Sequence, residues 1–152
     1  MRHVYDDGGR KHAGFKGATG DCVTRAIAIA TGKPYREVYD AIHDGIADYA
    51  GTRRGRVARK MARGKGLSGT TPRNGVFKEI YRPYLESLGW KFTPTMQIGS
   101  GCTVHLRDGE LPKGRLIVKV SRHLVAVIDG VIHDTYDCSR DETRCVYGYY
   151  SK

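Results

Sequence analysis

The chain has 152 residues, of which 39% are hydrophobic and 28% are charged, and its formal net charge is +10. These values are ordinary for a globular domain, and the sequence has neither an internal repeat nor an apolar run long enough to cross a membrane. We therefore expect one domain over residues 1–152 in a cytoplasmic protein with no secretion signal and no membrane contact.

Charge and cysteine content bound the partners and the compartment. The excess of Lys and Arg favours acidic partners, nucleic acids or acidic polypeptides among them, without identifying either. Four cysteines in a chain of this length do not resemble a disulfide framework, so we expect reduced thiols. No cofactor is expected.

Residues 1–16 are mostly polar and include several glycines. We expect them to form an N-terminal arm that is either ordered or frayed. The next segment, 17–32, changes from a glycine-rich loop to a short apolar helix. Asp21 is predicted as its N-cap, Cys22 as its first helical residue and Gly32 as its C-terminal stop. The apolar residues at helical spacing are Val23, Ala26, Ile27, Ile29 and Ala30. Most of this helix should therefore be buried.

Cys22 is the first candidate catalytic residue. The N-terminus of a helix has unpaired N–H groups and the positive end of the helix dipole. A thiol at that position is biased towards the thiolate, which is the nucleophilic form. A free cysteine is also commonly an inert core residue, so Cys22 needs a base nearby to be a nucleophile.

A second helix is predicted to open at Pro34, with an apolar stripe that runs to Tyr49. Residues 51–74 follow as a basic, glycine-rich connector. Its cationic side chains are Arg53, Arg54, Arg56, Arg59, Lys60, Arg63 and Lys65. Two interpretations of this segment stay open: a solvated connector, or a surface that contacts phosphates or an acidic substrate.

The remaining sequence predicts one more helix and then a sheet. Residues 75–88 have helical periodicity, with Pro83 expected to kink or divide the helix, and residues 90–92 suggest a short strand. Four further segments are rich in Val, Ile and Tyr and alternate with period two: 115–120, 123–128, 131–136 and 146–150. Helices followed by strands indicate an α+β fold, with N-terminal helices packed on a C-terminal antiparallel sheet.

Asp129 and Gly130 lie between two apolar runs, a pattern typical of a two-residue type I′ turn. Such a turn sets the register of the hairpin. The pairs that follow from it are Ile128 with Val131, Val125 with Asp134 and His123 with Tyr136.

This register places His123 and Asp134 on one face of the hairpin. Their β-carbons are then one diagonal step apart, about 7 to 8 Å, which an imidazole and a carboxylate can bridge. Asp137 and His133 fall on the other face, and a slip of one residue would reverse the choice. The hairpin geometry therefore favours Asp134 over Asp137 as the partner of His123.

Cys22, His123 and Asp134 together have the residue types of a thiol catalytic triad. The base takes or shares the thiol proton, while the carboxylate fixes the tautomer and stabilises the imidazolium. In order and context they resemble the papain-like cysteine peptidase superfamily, and small bacterial and phage members of it in particular. The resemblance rests on Gly20-Asp21-Cys22 opening a buried helix and on residues 123–134 as a strand pair.

The resemblance implies a papain-like fold, with Cys22 as nucleophile, His123 as general base and Asp134 as the orienting residue. The papain signature around the cysteine is absent, and so is the glutamine that donates to the oxyanion in papain-type enzymes. The backbone N–H of Cys22 is one candidate donor. Lys16 and Thr19 are auxiliary candidates, and Asp21 is a third auxiliary residue at the site.

The resulting hypothesis is a cysteine-dependent hydrolase, a peptidase or amidase, that acts through an acyl-enzyme on a polypeptide or amide substrate of acidic character. One alternative is a non-enzymatic module that binds nucleic acid through the basic segment 51–65, with contacts from Arg53, Arg54, Arg56, Arg59 and Lys60. Another is a catalytically inactive papain-like protein.

A structural zinc site is a further alternative. Its candidate ligands are Cys102, His105, Cys138 and Cys145, but their spacing is looser than that of a zinc knuckle, so no metal is expected.

Overall fold

The computed structural model describes residues 1–17, 20–52, 71–73 and 76–152. Within these residues there are three helices: α1 (Cys22–Thr31), α2 (Tyr35–Thr52) and α3 (Lys78–Ser87). The six strands are β1 (Arg2–Tyr5), β2 (Lys91–Pro94), β3 (Arg115–Val120), β4 (His123–Ile128), β5 (Val131–Asp134) and β6 (Val146–Ser151). The predicted α+β class is confirmed.

The strands form a single sheet in the order β1-β5-β4-β3-β6-β2. All neighbours are antiparallel except β1 and β5, which pair in parallel from Arg2 opposite Val131 to Tyr5 opposite Asp134. The predicted purely antiparallel sheet is therefore wrong at this edge. The arm contributes a mostly exposed edge strand, and such a strand lacks the apolar alternation that would reveal it in the sequence.

Helix α1 is the central element of the core. Every residue from Val23 to Ala30 is buried, because α1 packs against β4 on one side and against α2 on the other. Its start at Cys22 and its stop at Gly32 are as predicted. Gly32 adopts a left-handed conformation with φ of 74°, and its N–H donates to the carbonyl of Ala28. Gly32 therefore ends the helix where the sequence predicts.

The hairpin of β4 and β5 has the predicted turn. Asp129 and Gly130 both have positive φ, 48° and 77°, as a type I′ turn requires. Ile128 pairs with Val131, as expected from the sequence. Asp134 is the last residue of β5, so this strand is two residues shorter than predicted.

Helix boundaries differ from prediction at two places. Helix α3 begins at Lys78 and runs through Pro83 as one continuous helix, so the proline does not divide it. Helix α2 extends to Thr52 and thus includes the first two residues of the expected connector. The basic segment from Arg53 to Lys65 lies outside the described residues.

Cys102 and Cys145 form a disulfide, with Sγ atoms 2.21 Å and Cα atoms 5.9 Å apart. The expectation of reduced thiols is therefore wrong for this pair, while Cys22 and Cys138 are free. An isolated antiparallel bridge between His105 and Cys145 brings the two cysteine-bearing segments together although 43 residues separate them. Spacing in the sequence could not reveal this contact, because it depends on how the loop before His105 folds back.

None of the described helices has both the length and the apolar character that crossing a lipid bilayer requires.

We predict that protein purified without reductant has two titratable thiols after denaturation, Cys22 and Cys138, because the other two sulfur atoms are bonded to each other. Titration with Ellman's reagent before and after reduction measures this, and a non-reducing digest should contain a linked peptide pair with Cys102 and Cys145. Four titratable thiols before reduction would contradict the disulfide.

Candidate active site

The thiol of Cys22 lies at the first turn of α1, half-buried, in a cleft of about 480 Å³ that His123 also lines. The backbone N–H of Cys22 has no carbonyl acceptor within α1, as is true of the first N–H groups of any α-helix. Burial alone raises the pKa of the Cys22 thiol, but its hydrogen bond to His123 and the charge of that ring outweigh burial and lower it. The cysteine is therefore biased towards the thiolate.

His123 is buried at the start of β4 and is held by Asp134. Its Nε2 atom lies 2.7 Å from Oδ2 of Asp134, which is the diagonal partner that the hairpin register predicts. Burial alone lowers the pKa of His123. The carboxylate of Asp134 outweighs that effect, with smaller contributions from the thiols of Cys138 and Cys22, and raises the pKa of His123 to about 11. The imidazole therefore favours its charged form.

Asp137, the residue that the register argument rejected, is exposed and away from this contact. Its carboxylate accepts a hydrogen bond from the backbone N–H of Ser139 at 3.0 Å. The choice of Asp134 over Asp137 is confirmed in geometry, because the hairpin keeps its expected face assignment.

Asp134 is 1% exposed and is fixed by two further groups. Nε and Nη2 of Arg25 donate to its Oδ1 at 3.1 and 2.8 Å, and the backbone N–H of Thr135 donates to the same oxygen at 2.7 Å. Burial alone raises the pKa of Asp134. The hydrogen bond from His123 and the charge of Arg25 outweigh burial, so the pKa of Asp134 is lowered. The carboxylate is thus ionised, and each of its oxygens has a defined partner.

Arg25 also binds Asp21, so one guanidinium joins two carboxylates. Nη1 of Arg25 forms a short ion pair with Oδ1 of Asp21, and the hydroxyl of Tyr35 donates to Oδ2 of Asp21 at 2.7 Å. Asp21 precedes α1 as predicted, but its side chain makes no capping hydrogen bond. Asp21 is therefore the N-cap by position, as predicted, but its carboxylate is engaged by these two donors instead of by the helix N–H groups.

These contacts form one buried chain of polar groups from Tyr35 through Asp21, Arg25 and Asp134 to His123. It couples the first turn of α1 to the end of β5, across 109 residues of sequence. The helix that begins at Cys22 and the imidazole of His123 are thereby positioned by the same network.

Cys138 is a buried thiol that also lies against the site. Ligand atoms of His123, Asp134 and Cys138 are all within 4.8 Å of one another, so the three residues could hold a soft divalent metal. A metal bound here would displace the proton of His123, and Nη2 of Arg25 already donates to Oδ1 of Asp134.

The zinc set considered from the sequence is divided between two places. Cys102 and Cys145 are bonded to each other, with Nε2 of His105 3.7 Å from the sulfur of Cys102, whereas Cys138 lies beside His123. The four residues do not converge on one point, so that alternative is wrong.

Lys16 and Asp21, the two predicted auxiliary residues that the structure describes, do not line the cleft of Cys22. Lys16 is exposed, and it lines a separate cavity with Asp21 and Arg25 rather than the cleft of Cys22. Its carbonyl accepts a hydrogen bond from Nη2 of Arg10 at 2.9 Å. Thr19 lies outside the described residues. Among the candidate donors in the described part of the chain, the backbone N–H of Cys22 is the one at the nucleophile.

Sequence reasoning missed Arg25 and Cys138. A signal for Arg25 was present, since it is the one charged residue in the segment Cys22–Thr31 and lies four residues after Asp21. A charge inside an apolar helix needs a buried partner, which points to a second carboxylate. Cys138 has no comparable signal, because its position depends on the turn that follows β5.

We predict that Arg25→Met lowers the free energy of unfolding by about 3 to 5 kcal/mol, because it leaves Asp21 and Asp134 buried without their cation. Denaturant titration measures the loss. The control is Arg82→Met, which removes an exposed pair with Glu86 and should cost about 0.5 kcal/mol or less. Similar losses in both variants would show that the buried network is not a stabilising constraint.

Comparison with protein-family models, with curated proteins and with solved structures finds no match to this chain. The relationship to papain-like peptidases therefore stays a prediction from Cys22, His123 and Asp134 and from the elements that present them.

Proposed function

We propose that this protein is a cysteine-dependent hydrolase, a peptidase or amidase that forms an acyl-enzyme on Cys22. The observation that supports it is a half-buried thiol at a helix start that lines one cleft with His123, an imidazole whose Nε2 lies 2.7 Å from Oδ2 of Asp134. A thiolate beside an imidazolium that a carboxylate orients is the arrangement that nucleophilic attack by sulfur needs.

The proposed reaction has two halves. The Cys22 thiolate attacks an amide or ester carbonyl carbon, a C–S bond forms, and the oxyanion is stabilised by the backbone N–H of Cys22. His123 then gives its proton to the leaving nitrogen or oxygen as the C–N or C–O bond breaks. In the second half the neutral imidazole takes a proton from water, the hydroxide attacks the thioester, and the Cys22 thiolate is released.

The role of Asp134 in this scheme is positional and electrostatic. Its carboxylate accepts the hydrogen bond from Nε2 of His123. Nδ1 is then the ring nitrogen that can exchange a proton with the thiol. Arg25 keeps that carboxylate ionised, so it stabilises the imidazolium in the resting enzyme. We propose Arg25 as a positioning residue of the same site.

A papain-like architecture belongs to this proposal. It is supported by the chain order Cys22, His123 and Asp134, and by a nucleophile on a central helix with the base and the carboxylate on neighbouring strands. The cytoplasmic location from the sequence remains a proposal too, and the disulfide of Cys102 and Cys145 favours a more oxidising setting.

The experiment that tests the hydrolase is capture of the acyl-enzyme. Incubation with p-nitrophenyl acetate should release nitrophenolate in a burst and add one acetyl group to the intact mass, because deacylation lags acylation. Peptide mapping should place the acetyl group on Cys22, and Cys22→Ala should abolish the burst. Turnover of a panel of fluorogenic peptide amides then separates amidase from esterase activity. An acetyl group on Cys138, or no burst, would count against the proposal and favour an inactive papain-like protein.

A second prediction concerns pH. Labelling of Cys22 by iodoacetamide should reach half its maximal rate below the ordinary thiol pKa of about 8.5, because the net effect of His123 is to favour the thiolate. Asp134→Asn removes the charge that stabilises the imidazolium, so the midpoint should move up towards the ordinary value. Rate constants between pH 4 and 10, read by mass spectrometry at each cysteine, measure the shift. Equal midpoints for Cys22 and Cys138 would contradict the ion pair.

A further inference from the structure

The cleft of Cys22 has an apolar wall and a cationic rim. Its apolar lining comes from the start of α1, from the segment that leads into α3 and from β3 and β4: Val23, Val76, Phe77, Tyr81, Val120 and Leu124. The described charged residues at its edge, apart from His123, are Lys78, Lys119, Arg122 and Glu79. Three cations against one carboxylate give the mouth of the cleft a net positive charge.

Lys119 is the cation built most deeply into this cleft. It lies in β3 directly opposite Leu124, and Leu124 belongs to the apolar cluster that packs against α1. Directly opposite residues share a face of the sheet, so Lys119 lies on the face that bears the nucleophile's helix. Its side chain is half-buried, whereas Lys78 and Arg122 are exposed.

Lys119 also has no ion-pair partner in the described part of the chain. Burial and the nearby charge of Lys78 both lower the pKa of its ammonium group, and Glu79 offsets this only in part. Glu79 lines the same cleft but forms no ion pair with Lys119, and partial burial of a cation without an ion-pair partner is unfavourable. A ligand carboxylate placed beside Lys119 would supply the missing partner within the cleft that holds Cys22.

We propose that Lys119 is a specificity-determining residue that binds a carboxylate of the substrate. The preferred substrate is then an amide or ester with an apolar group against the Val76 and Tyr81 wall and an acidic group near Lys119. This inference rests on the proposed function, since it concerns the substrate of the same nucleophile.

The test compares iodoacetate with iodoacetamide. Both reagents alkylate the same sulfur by the same displacement, in which a C–S bond forms and iodide leaves, but only iodoacetate has a carboxylate. At one pH, the ratio of their rate constants at Cys22 does not depend on the fraction of Cys22 that is thiolate. The ratio therefore measures how strongly the cleft favours or disfavours a negatively charged reagent.

We predict that Lys119→Met lowers the ratio for iodoacetate over iodoacetamide by about two- to fivefold, as expected for loss of one partly exposed ion pair. Lys119→Arg should retain the ratio. The matched control is Lys113→Met, which removes an exposed lysine just before β3 and changes the net charge equally. The difference between the two methionine variants should shrink at high salt, because added ions screen the pair.

An unchanged ratio in Lys119→Met, or an equal fall in Lys113→Met, would overturn the assignment of Lys119 and leave the hydrolase proposal untouched. A Cys22 that reacts slowly with both reagents would count against the hydrolase, yet the ratio at that sulfur still decides the role of Lys119.

A pair of esters extends the test to turnover. p-Nitrophenyl hydrogen glutarate and p-nitrophenyl valerate have acyl chains of equal length, and only the first ends in a carboxylate. Wild-type protein should favour the glutarate ester in kcat/KM relative to Lys119→Met, with the change mainly in KM. Equal preference in both proteins would overturn the proposal.

Discussion

The ion pair of Arg25 with Asp134 is the contact on which the rest of the site depends. It joins α1, which presents the thiol, to β5, which presents the carboxylate, and both side chains are almost fully buried. An arginine suits this position because its planar group can donate to two carboxylates at once, here Asp134 and Asp21. Without it, Asp21 would have no counter-charge in the core and Asp134 would have only His123, so electrostatics as well as apolar packing hold the helix against the sheet.

The same contact contributes to the pKa shifts of the Cys22 thiol and the His123 imidazole. Desolvation acts against ionisation at Cys22, His123 and Asp134 alike, yet in each case neighbouring opposite charges outweigh it. The charges alternate from Asp21 to Arg25, Asp134, His123 and Cys22, so each group is stabilised by the next. The pKa of the Cys22 thiol thus depends on both His123 and Arg25.

The local parts of this arrangement could be predicted from the sequence, and the long-range parts could not. The start of α1 at Cys22 and the hairpin that selects Asp134 follow from turn and helix signals within a few residues. The parallel edge strand β1 and the disulfide of Cys145 depend on contacts between distant segments that leave no periodic pattern. Asp21 shows why a rule based on neighbouring residues can fail. Its side chain pairs with the buried cation of Arg25 instead of capping the helix N–H groups.

The separation of the reacting groups along the chain has a consequence for biosynthesis. His123 and Asp134 are 11 residues apart, whereas about a hundred residues separate Cys22 from His123. At usual rates of translation, the ribosome therefore needs roughly five to twenty seconds to add the base after the cysteine has been made. During that interval Cys22 lacks the imidazole that lowers the pKa of its thiol.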